Sequence, residues 1–348
     1  MRIVVTGKTY MQYNRTQIIL QGLKKIKGVE VIEFPITKRK KFDKEAFKKI
    51  AQTADFIYLP PFTHSTIGFI RRLTNKPIVF DPLISKYLTK VVDYGQWYKV
   101  FINYFKDYLA FRKCDLLIAD TEHHKQYYSK MFGITKDRIH VIPVGVMIEE
   151  FKPMENQSND NLFHVGFYGS FVPLQGAEVI IDAANHLKEY KDIVFDIIGT
   201  GHEYKKIQKQ IAYLGLTNIN LKGWIEYSKL AEEISRFDLC LGIFGHSKKA
   251  DIVVPNKAFH YAAMRKCMLT KETEGIKEVF THDKTAILCN ADAKELAEHI
   301  LKLKDNPDKR EQIAKEAYMH ISKKYNENSI AEKFIYILSN YQHKKNKL

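Results

Sequence analysis

The segment Phe167–Gly176, which reads FYGSFVPLQG, combines residue types that suit the binding of a phosphate group. A strand-like run leads through Gly169 and Ser170 into a predicted helix that begins after Pro173. Glycines let a ligand approach the backbone closely, and the free N–H groups of a helix N-terminus attract an anion such as a diphosphate. Strand–glycine–helix turns also serve packing alone, so this segment by itself does not predict a binding site.

A second glycine-rich turn, Ile198–His202, resembles half of a dinucleotide fingerprint. The third small residue of that fingerprint is missing, since Tyr204 follows, and the turn comes after the second predicted strand of its half instead of the first. These departures argue against a nicotinamide cofactor. The pattern favours a tight turn at Gly199 and Gly201 that opens space beside a nucleotide.

A third segment, residues 241–262, places lysines around the start of a predicted helix. A strand ends at Gly245, and Pro255 suits the first turn of the helix that follows. Lys249 and Lys257 flank this helix start. A cation beside a helix N-terminus would bind phosphate and stabilise a departing diphosphate. Both lysines could instead be solvated surface residues, but we favour the phosphate role for Lys257.

The first half of the chain offers carboxylate chemistry at predicted strand ends. Asp81 closes one strand, and a carboxylate there could orient or deprotonate an acceptor hydroxyl. Asp81 and Ser85 could equally cap a turn and a helix. Asp120 closes the next strand, where a plain N-cap role for Asp120 or Thr121 is favoured.

Residues 97–109, which read WYKVFINYFKDYL, form an aromatic-rich predicted helix. One face carries the apolar side chains of Trp97, Phe101, Tyr104, Phe105 and Tyr108. We predict that this face packs into the core. A helix that turns its aromatic side chains toward a membrane is the alternative.

Several signatures of metal and nucleophile chemistry are absent from the sequence. It contains no D-x-D, HExxH, CxxC, GxSxG or Walker-type motif, and its 13 histidines lack ligand spacing. The 4 cysteines lie far apart in apolar stretches, which predicts reduced, buried thiols in a cytosolic protein. We therefore predict no metal ion and no cofactor.

The positive charge lies mostly in the first half of the chain. The 348 residues carry a net charge of +15, of which residues 1–150 contribute +12 and the remainder +3. The densest cluster is Lys38–Lys41, followed by Lys44, Lys48 and Lys49. A solvated surface is the simplest explanation, an anionic lipid or acceptor the next, and nucleic acid is unlikely.

The apolar content of 45% excludes disorder of the whole chain, and no apolar run reaches the ~20 residues that a bilayer span needs. Strand-like and helical patterns alternate twice, which predicts an α/β protein with two doubly wound domains. The N-terminus enters a strand at once, without room for a signal peptide. The predicted strands of the first half are Ile3–Thr6, Val29–Phe34, Asp55–Leu59, Pro77–Phe80, Leu116–Ala119 and Ile139–Pro143. Those of the second half are Phe163–Tyr168, Ile193–Ile198, Ile219–Lys222, Leu239–Ile243, Met268–Thr270 and Ala286–Leu288.

The polar, turn-rich stretch Glu149–Asn161 is the predicted linker, so we place the domains at 1–150 and 151–325. Two such domains in tandem leave a cleft, and ligands bind at the carboxyl ends of their strands. This arrangement suits a transfer reaction with one substrate on each domain, although the layout does not choose the reaction.

In their order and spacing, the motifs PLQG, IIGTG and VPNK resemble the donor domain of GT-B glycosyltransferases of family four. The first half, with VFDPLISKYLT and IPVGV before FKP, is similar to the acceptor domain of one branch of that family. The resemblance covers nearly the whole chain. It implies a Rossmann-like GT-B fold, whose segment 326–348 crosses back to the first domain. It also implies retaining transfer of a sugar from a nucleotide-diphosphate sugar to an acceptor hydroxyl.

The resemblance also implies roles for individual residues. Asp81 and Lys257 would be catalytic, and the acceptor would meet Ser85, Thr89 and Asp120. The donor would contact a larger set, which comprises Gly169, Ser170, Gly199, Gly201, Trp224, Ile225, Phe244, Gly245, His246, Lys249, Asn256 and His260. Most of the family has an Arg where this chain has Ser170 and a Lys where it has Gln175. Most members also have a glutamate pair where this chain has Ile252 and His260.

The sequence therefore predicts a metal-independent, retaining glycosyltransferase that acts on a lipid-linked or polysaccharide acceptor. We expect it in the cytoplasm, in peripheral contact with an anionic membrane through its basic N-terminal domain. One alternative is a GT-B enzyme of another kind, which acts on DNA or epimerises a nucleotide-sugar. Another is a non-catalytic GT-B protein with a degenerate donor site.

Overall fold

A computed structural model describes residues 1–7, 11–155, 158 and 160–345. Contacts between Cα atoms divide the chain into two compact units. Unit 1 is Met1–Gly145 together with the last helix of the chain, and unit 2 is Val146–Lys324. Part of the predicted linker, at residues 156, 157 and 159, lies outside the described residues.

Unit 1 contains a six-stranded parallel sheet in the order β2-β1-β3-β4-β5-β6. Its strands are β1 (Arg2–Gly7), β2 (Glu30–Pro35), β3 (Phe56–Leu59), β4 (Ile78–Phe80), β5 (Leu116–Ala119) and β6 (Ile139–Val141). Every residue of β3, β4 and β5 is buried, as expected for a parallel sheet that is covered on both faces. The helices between the strands are α1 (Asn14–Lys25), α2 (Lys44–Thr53), α3 (Ile67–Ile70), α4 (Val100–Arg112) and α5 (Glu122–Phe132).

Unit 2 contains a second six-stranded parallel sheet, in the order β12-β11-β10-β7-β8-β9. Its strands are β7 (Phe163–Tyr168), β8 (Ile193–Ile198), β9 (Ile219–Gly223), β10 (Leu239–Leu241), β11 (Met268–Lys271) and β12 (Ile287–Cys289). The helices are α6 (Ala177–His186), α7 (Tyr204–Leu214), α8 (Leu230–Ser235), α9 (Lys248–Ile252), α10 (Asn256–Ala263), α11 (Glu274–Lys277), α12 (Ala293–Lys304) and α13 (Pro307–Lys324). The predicted fold class, with two doubly wound α/β sheets, is confirmed.

The last helix, α14 (Glu327–Lys345), packs against α1 within unit 1. The approach is close because α1 carries Gly22, where an added Cβ would lie 2.1 Å from the carbonyl oxygen of Glu327. Further along α14, Phe334 contacts the ring of Tyr58 on β3 at a centroid distance of 5.1 Å. The end of the chain therefore forms part of the first unit's core.

Residues 97–112 fold as a short 3-10 turn, Trp97–Lys99, that continues into α4. The predicted core-facing side of this helix is wrong in part: Tyr104 and Tyr108 pack against the core of unit 1, but the other members of that side do not. Trp97, Phe101 and Phe105 are exposed, with 65%, 77% and 52% of their surface accessible. The buried positions of α4 are Asn103, Asp107, Ala110 and Phe111. Asp107 holds this face inward, because its carboxylate accepts hydrogen bonds from the backbone N–H groups of Lys86 and Tyr87, which lie outside the helix.

Candidate functional site

The loops of unit 2 that follow β7 and β10 begin at the same edge of the sheet. These two strands are separated by 70 residues in sequence yet pair directly, with Val165 opposite Leu239. They lie where the strand order reverses direction, and open α/β sheets bind ligands at the carboxyl ends of strands at such a point. The topology therefore brings the loop at Gly169 and the loop at Gly245 to the expected binding position.

Three residues from separate parts of unit 2 meet at this edge: Gly169, Gln175 and Lys257. The Lys257 Nζ donates hydrogen bonds to the Gln175 Oε1 at 2.7 Å and to the Gly242 carbonyl oxygen at 3.2 Å. It also lies 3.5 Å from the centroid of the Phe167 ring. A Cβ added at Gly169 would lie 3.2 Å from the Lys257 Nζ, so the glycine leaves the ammonium close to the backbone of its loop.

Lys257 is a buried lysine without an acidic partner. Within the described part of the chain, no carboxylate lies within ion-pair distance of its Nζ, and only 3% of the residue is accessible. Burial lowers the pKa of Lys257 well below its ordinary value. The carbonyl oxygens and the ring face oppose that shift, because they stabilise the ammonium form. An anion that arrived here would supply the missing negative charge.

Gly199 and Gly201 hold the Gly169 loop in place. A Cβ at Gly199 would lie 1.9 Å from the Gly169 carbonyl oxygen, and its φ of +134° favours glycine. A Cβ at Gly201 would lie 2.7 Å from the Phe171 backbone nitrogen. Both glycines therefore let the turn after β8 pack directly against the loop after β7. Ser170, within that loop, is exposed.

The loop after β10 exposes His246 and buries Phe244. Gly245 packs on the Pro173–Gln175 turn, where a Cβ would lie 2.4 Å from the Leu174 carbonyl oxygen. Phe244 is fully buried in the core of unit 2, which leaves only its backbone for the predicted contact with a donor sugar. His246 is exposed, and Lys249 lies buried in α9, whose N-cap is Ser247.

His260 differs most from its predicted place in the donor site. Its ring stacks on Phe151 at a centroid distance of 3.7 Å, and its Nδ1 lies 2.6 Å from the Tyr168 hydroxyl. Only 1% of the residue is accessible, and burial lowers the pKa of His260 to about 3. This neutral, enclosed imidazole supports α10 from inside, which corrects the expectation that it contacts the donor.

Three other predicted donor contacts retain accessible surface. Trp224 follows β9 and is 70% exposed. Ile225 is half-buried beside it, and Asn256 is half-buried as the first residue of α10. As donor contacts, these three positions stay predictions.

Asp81, the predicted catalytic carboxylate, is fully buried in unit 1. Its Oδ2 accepts a hydrogen bond from the Arg15 Nε at 2.6 Å, and its Oδ1 accepts one from the Leu83 backbone N–H at 3.0 Å. The Tyr58 hydroxyl donates to the Oδ2 at 3.4 Å, and Arg15 also donates to the Ile142 carbonyl oxygen. This ion pair corrects the predicted acid–base role of Asp81, because a paired carboxylate with no accessible surface cannot reach an acceptor.

The polar atoms of the predicted acceptor residues are buried, and they differ in whether they have a hydrogen-bond partner. The Ser85 Oγ accepts a hydrogen bond from the Leu88 N–H, as a cap does, and Asp120 pairs with the His124 Nδ1 at 2.6 Å. Thr89 is half-buried, and among the described residues its hydroxyl has no hydrogen-bond partner. Thr89 is therefore the predicted acceptor residue with bonding capacity left over.

From the sequence, Gln175 was noted only because most of the resembled family has a lysine at that position. The role of Arg15 as the ion-pair partner of Asp81 was not predicted. The contact of Gln175 with Lys257 spans 82 residues, and that of Arg15 with Asp81 spans 66. No local pattern signals pairs so distant. In the described ranges, no group of three or more His, Cys, Asp or Glu side chains could hold a metal ion, and no helix is long and apolar enough to cross a membrane.

Comparison with known proteins adds the family context. Residues 178–335 match a family described as "Glycosyl transferase-like". HepE from Anabaena, crystallised with UDP, superposes with a TM-score of 0.74 at 16% identity, over 98% of this chain and 100% of that one. The sucrose-phosphate synthase of Thermosynechococcus elongatus superposes with a TM-score of 0.79 at 14% identity, over 99% of both chains. This chain has the GT-B fold.

A curated relative points the same way as the family match. An uncharacterized glycosyltransferase of Methanocaldococcus jannaschii is 26% identical over 239 residues, which are 62% of this chain. The aligned part spans 63% of that relative, less than two thirds of its length. These matches agree with the glycosyltransferase that the sequence predicts.

Proposed function

We propose that this GT-B protein is a glycosyltransferase that moves a sugar from a nucleotide-diphosphate sugar to an acceptor hydroxyl with retention of configuration. The family match over residues 178–335 and the relative's name support sugar transfer. The HepE structure, which contains UDP, supports a nucleotide donor. The acceptor is a lipid-linked or polysaccharide hydroxyl, in keeping with the net charge of +12 on residues 1–150.

The observation that carries the proposal is the uncompensated Lys257 beside Gly169. A diphosphate next to the Gly169 loop would accept hydrogen bonds from the backbone and from the Lys257 ammonium. Gln175 stands where most of the resembled family has a lysine, and the Lys257 Nζ lies 2.7 Å from the Gln175 Oε1. The cation therefore reaches this position from another helix. It would stabilise the negative charge that grows on the leaving diphosphate as the sugar–phosphate bond breaks.

Transfer in this proposal uses no metal ion and assigns no base to Asp81. Lys257 supplies the positive charge that a metal supplies in D-x-D glycosyltransferases. Activity should therefore persist after treatment with EDTA. A loss of activity that added magnesium or manganese restores would contradict this part of the proposal.

Thermal unfolding with UDP, GDP, dTDP and ADP at millimolar concentration tests the donor site. A ligand that binds only the folded state stabilises it, by about 2.7 kcal/mol at a concentration 100 times Kd. We expect one nucleotide to raise the midpoint, and Lys257→Met to abolish that rise. If none of the four raises the midpoint, the chain is better described as a non-catalytic GT-B protein.

Lys266→Met is the matched control for Lys257→Met. Lys266 also lies in unit 2, and its Nζ donates to the carbonyl oxygens of Ser235 and Phe237. Burial lowers the pKa of this lysine as well. Removing its charge should change stability but leave the nucleotide-induced rise intact. Equal losses in both variants would mean that the Lys257 effect is not specific.

A further inference from the structure

Helix α4 exposes a side that carries large apolar residues, which helices of water-soluble proteins normally bury. Its outward side and the preceding turn carry six large apolar residues, which we call the aromatic face: Trp97, Tyr98, Phe101, Ile102, Phe105 and Leu109. At least half of the surface of each is accessible, and Tyr98 and Phe101 reach 78% and 77%. Contiguous exposed apolar patches of this kind mark interaction surfaces.

Buried polar groups on the opposite side keep α4 in this orientation. Asp107 has no accessible surface, and its carboxylate accepts hydrogen bonds from the backbone N–H groups of Lys86 and Tyr87 at 3.0 and 2.7 Å. Asn103 is buried as well and donates to the Lys99 carbonyl oxygen at 3.0 Å. A rotation that buried the aromatic face would break the two hydrogen bonds of Asp107 and leave its carboxylate unsatisfied, whereas the Asn103 bond is local to α4 and would move with it. The exposure of the aromatic face is therefore built into unit 1.

The charge around the aromatic face is positive. Residues 86–113 contain six lysines and arginines and two aspartates. Both aspartates, Asp93 and Asp107, are buried. Four of the cations are exposed: Lys90, Lys106, Arg112 and Lys113. The surface thus combines Trp, Tyr and Phe side chains with a rim of cations.

We propose that the aromatic face docks unit 1 onto an anionic lipid bilayer. This role rests on the proposed function, and it narrows the acceptor of the glycosyl transfer to one that is presented at a membrane. Trp and Tyr favour the membrane–water interface, and anionic headgroups attract flanking lysines and arginines. A second copy on the same face would instead place one rim of cations against another, and such like charges repel.

The aromatic face is connected to the predicted acceptor segment of unit 1. The turn Leu88–Asp93, which contains Thr89, directly precedes the face in sequence. Tyr87 contacts Tyr104 of α4 at a ring centroid distance of 6.2 Å, and Asp107 binds the backbone at Lys86 and Tyr87. A bilayer on the aromatic face would therefore lie beside the segment that holds Ser85 and Thr89.

The two tryptophans of the chain allow a direct test, because Trp97 lies on the aromatic face and Trp224 lies in unit 2. In Trp224→Phe, Trp97 is the only tryptophan. We expect its emission to shift to the blue on phosphatidylcholine–phosphatidylglycerol vesicles and to be quenched by brominated acyl chains. The matched variant Trp97→Phe reports from Trp224 and should show neither change. An unchanged Trp97 signal, or equal responses to vesicles of phosphatidylcholine alone, would overturn the proposal.

Vesicle co-sedimentation provides the second measurement. Phe101→Ser combined with Phe105→Ser should lower partitioning onto anionic vesicles at least tenfold, and both sites are exposed enough for the variant to fold. Tyr213→Ser, at a 90% exposed aromatic residue of unit 2, should leave partitioning unchanged. Equal partitioning of the double variant and the parent would contradict the proposal. So would a blue shift of the Trp97 emission that occurs without lipid and depends on protein concentration, because such a shift indicates self-association.

The nucleotide-induced thermal shift, measured on the parent and on the Phe101→Ser, Phe105→Ser variant, separates this proposal from the proposed function. If the shift persists and vesicle binding fails, only the membrane role is lost. If vesicle binding persists without any nucleotide shift, the donor site is lost and the docking surface stands.

Discussion

The carboxyl edges of the two sheets each carry a buried ionic side chain, and the two are held in opposite ways. Beside β4 in unit 1, Asp81 forms a 2.6 Å ion pair with Arg15, and both side chains have 0% exposure. Beside β7 in unit 2, Lys257 is surrounded by an amide, a carbonyl oxygen and an aromatic ring, with no carboxylate in the described chain near enough to pair. One buried ionic side chain thus lies in a closed electrostatic arrangement and the other in an open one.

The presence or absence of a charged partner distinguishes a structural ionic side chain from a ligand-binding one more clearly than the residue type does. A charge whose partner is already present has little to gain from a ligand, whereas an uncompensated charge gains a partner when an anion binds. The pKa of Lys257 is lowered because burial penalises its charge, and that penalty is what a bound diphosphate would relieve. We therefore expect substitutions at the closed arrangement to affect stability and substitutions at the open one to affect binding.

The largest effect is expected at Asp81. Asp81→Asn leaves Arg15 charged and buried without a partner, and breaking a buried ion pair in this way costs about 3–5 kcal/mol. Lys257→Met breaks no ion pair but leaves the Gln175 Oε1 and the Gly242 carbonyl oxygen without their donor, so we expect it to cost less, about 1–3 kcal/mol. Urea unfolding of both variants measures the two values.

The double variant Arg15→Met, Asp81→Leu provides the control for that comparison. It removes both charges together, so it should recover much of the stability that Asp81→Asn loses. Equal costs for Asp81→Asn and Lys257→Met would contradict the distinction between a closed and an open arrangement.

A smaller effect is expected at the glycines that shape the open site. Gly199→Ala places a Cβ 1.9 Å from the Gly169 carbonyl oxygen at a φ of +134°, so the Gly169 loop must shift. Overlap together with backbone strain should cost roughly 2–3 kcal/mol and weaken the nucleotide-induced thermal shift. Chemical unfolding and the thermal shift, measured together, test both parts.

Gly215→Ala is the matched control in the same unit. Gly215 has a φ of +62°, and a Cβ there would meet nothing within 4 Å. The substitution should therefore cost only the left-handed conformation, about 1 kcal/mol, and retain the nucleotide response. A nucleotide response that survives in Gly199→Ala as well would show that the Gly169 loop does not shape the site.

The sequence predicted the strands well because parallel strands are short, apolar and β-branched, which is a local property. Three of them, Leu116–Ala119, Phe163–Tyr168 and Ile193–Ile198, agree with the structure at both ends. The grouping of Gly169 with Lys257 could also be anticipated, because both follow strands whose carboxyl ends share an edge. The partners of these residues could not be anticipated, since Arg15 and Gln175 reach their contacts across 66 and 82 residues.

The orientation of α4 shows a second limit of local patterns. Two members of the predicted apolar side, Tyr104 and Tyr108, pack inward, but the usual rule that apolar residues face inward fails for the rest of that side. The side is decided instead by Asp107, whose two backbone partners lie 20 and 21 residues earlier. His260 was misplaced for a similar reason, because Phe151, against which it stacks, belongs to another part of unit 2.

The smallest expected effect, the uptake of a proton when a nucleotide binds, is also the most specific to Lys257. In the free protein, burial holds the pKa of Lys257 well below its ordinary value. A diphosphate beside the Nζ would favour the ammonium and raise that pKa, so nucleotide binding should take up a proton at any pH between the two values. Affinity should then fall as pH rises through this window, by at most tenfold per pH unit.

Calorimetry in buffers of different ionisation enthalpy measures this uptake. Above about pH 7 a terminal phosphate, whose second pKa is about 6, is already ionised, so uptake measured as a function of pH reports on the protein. We expect up to one proton per nucleotide in the parent and in Lys266→Met, and a smaller number in Lys257→Met. If residual binding by Lys257→Met takes up as many protons as the parent, another group carries the uptake. The open arrangement at Lys257 would then be no more responsive to an anion than the closed pair at Asp81.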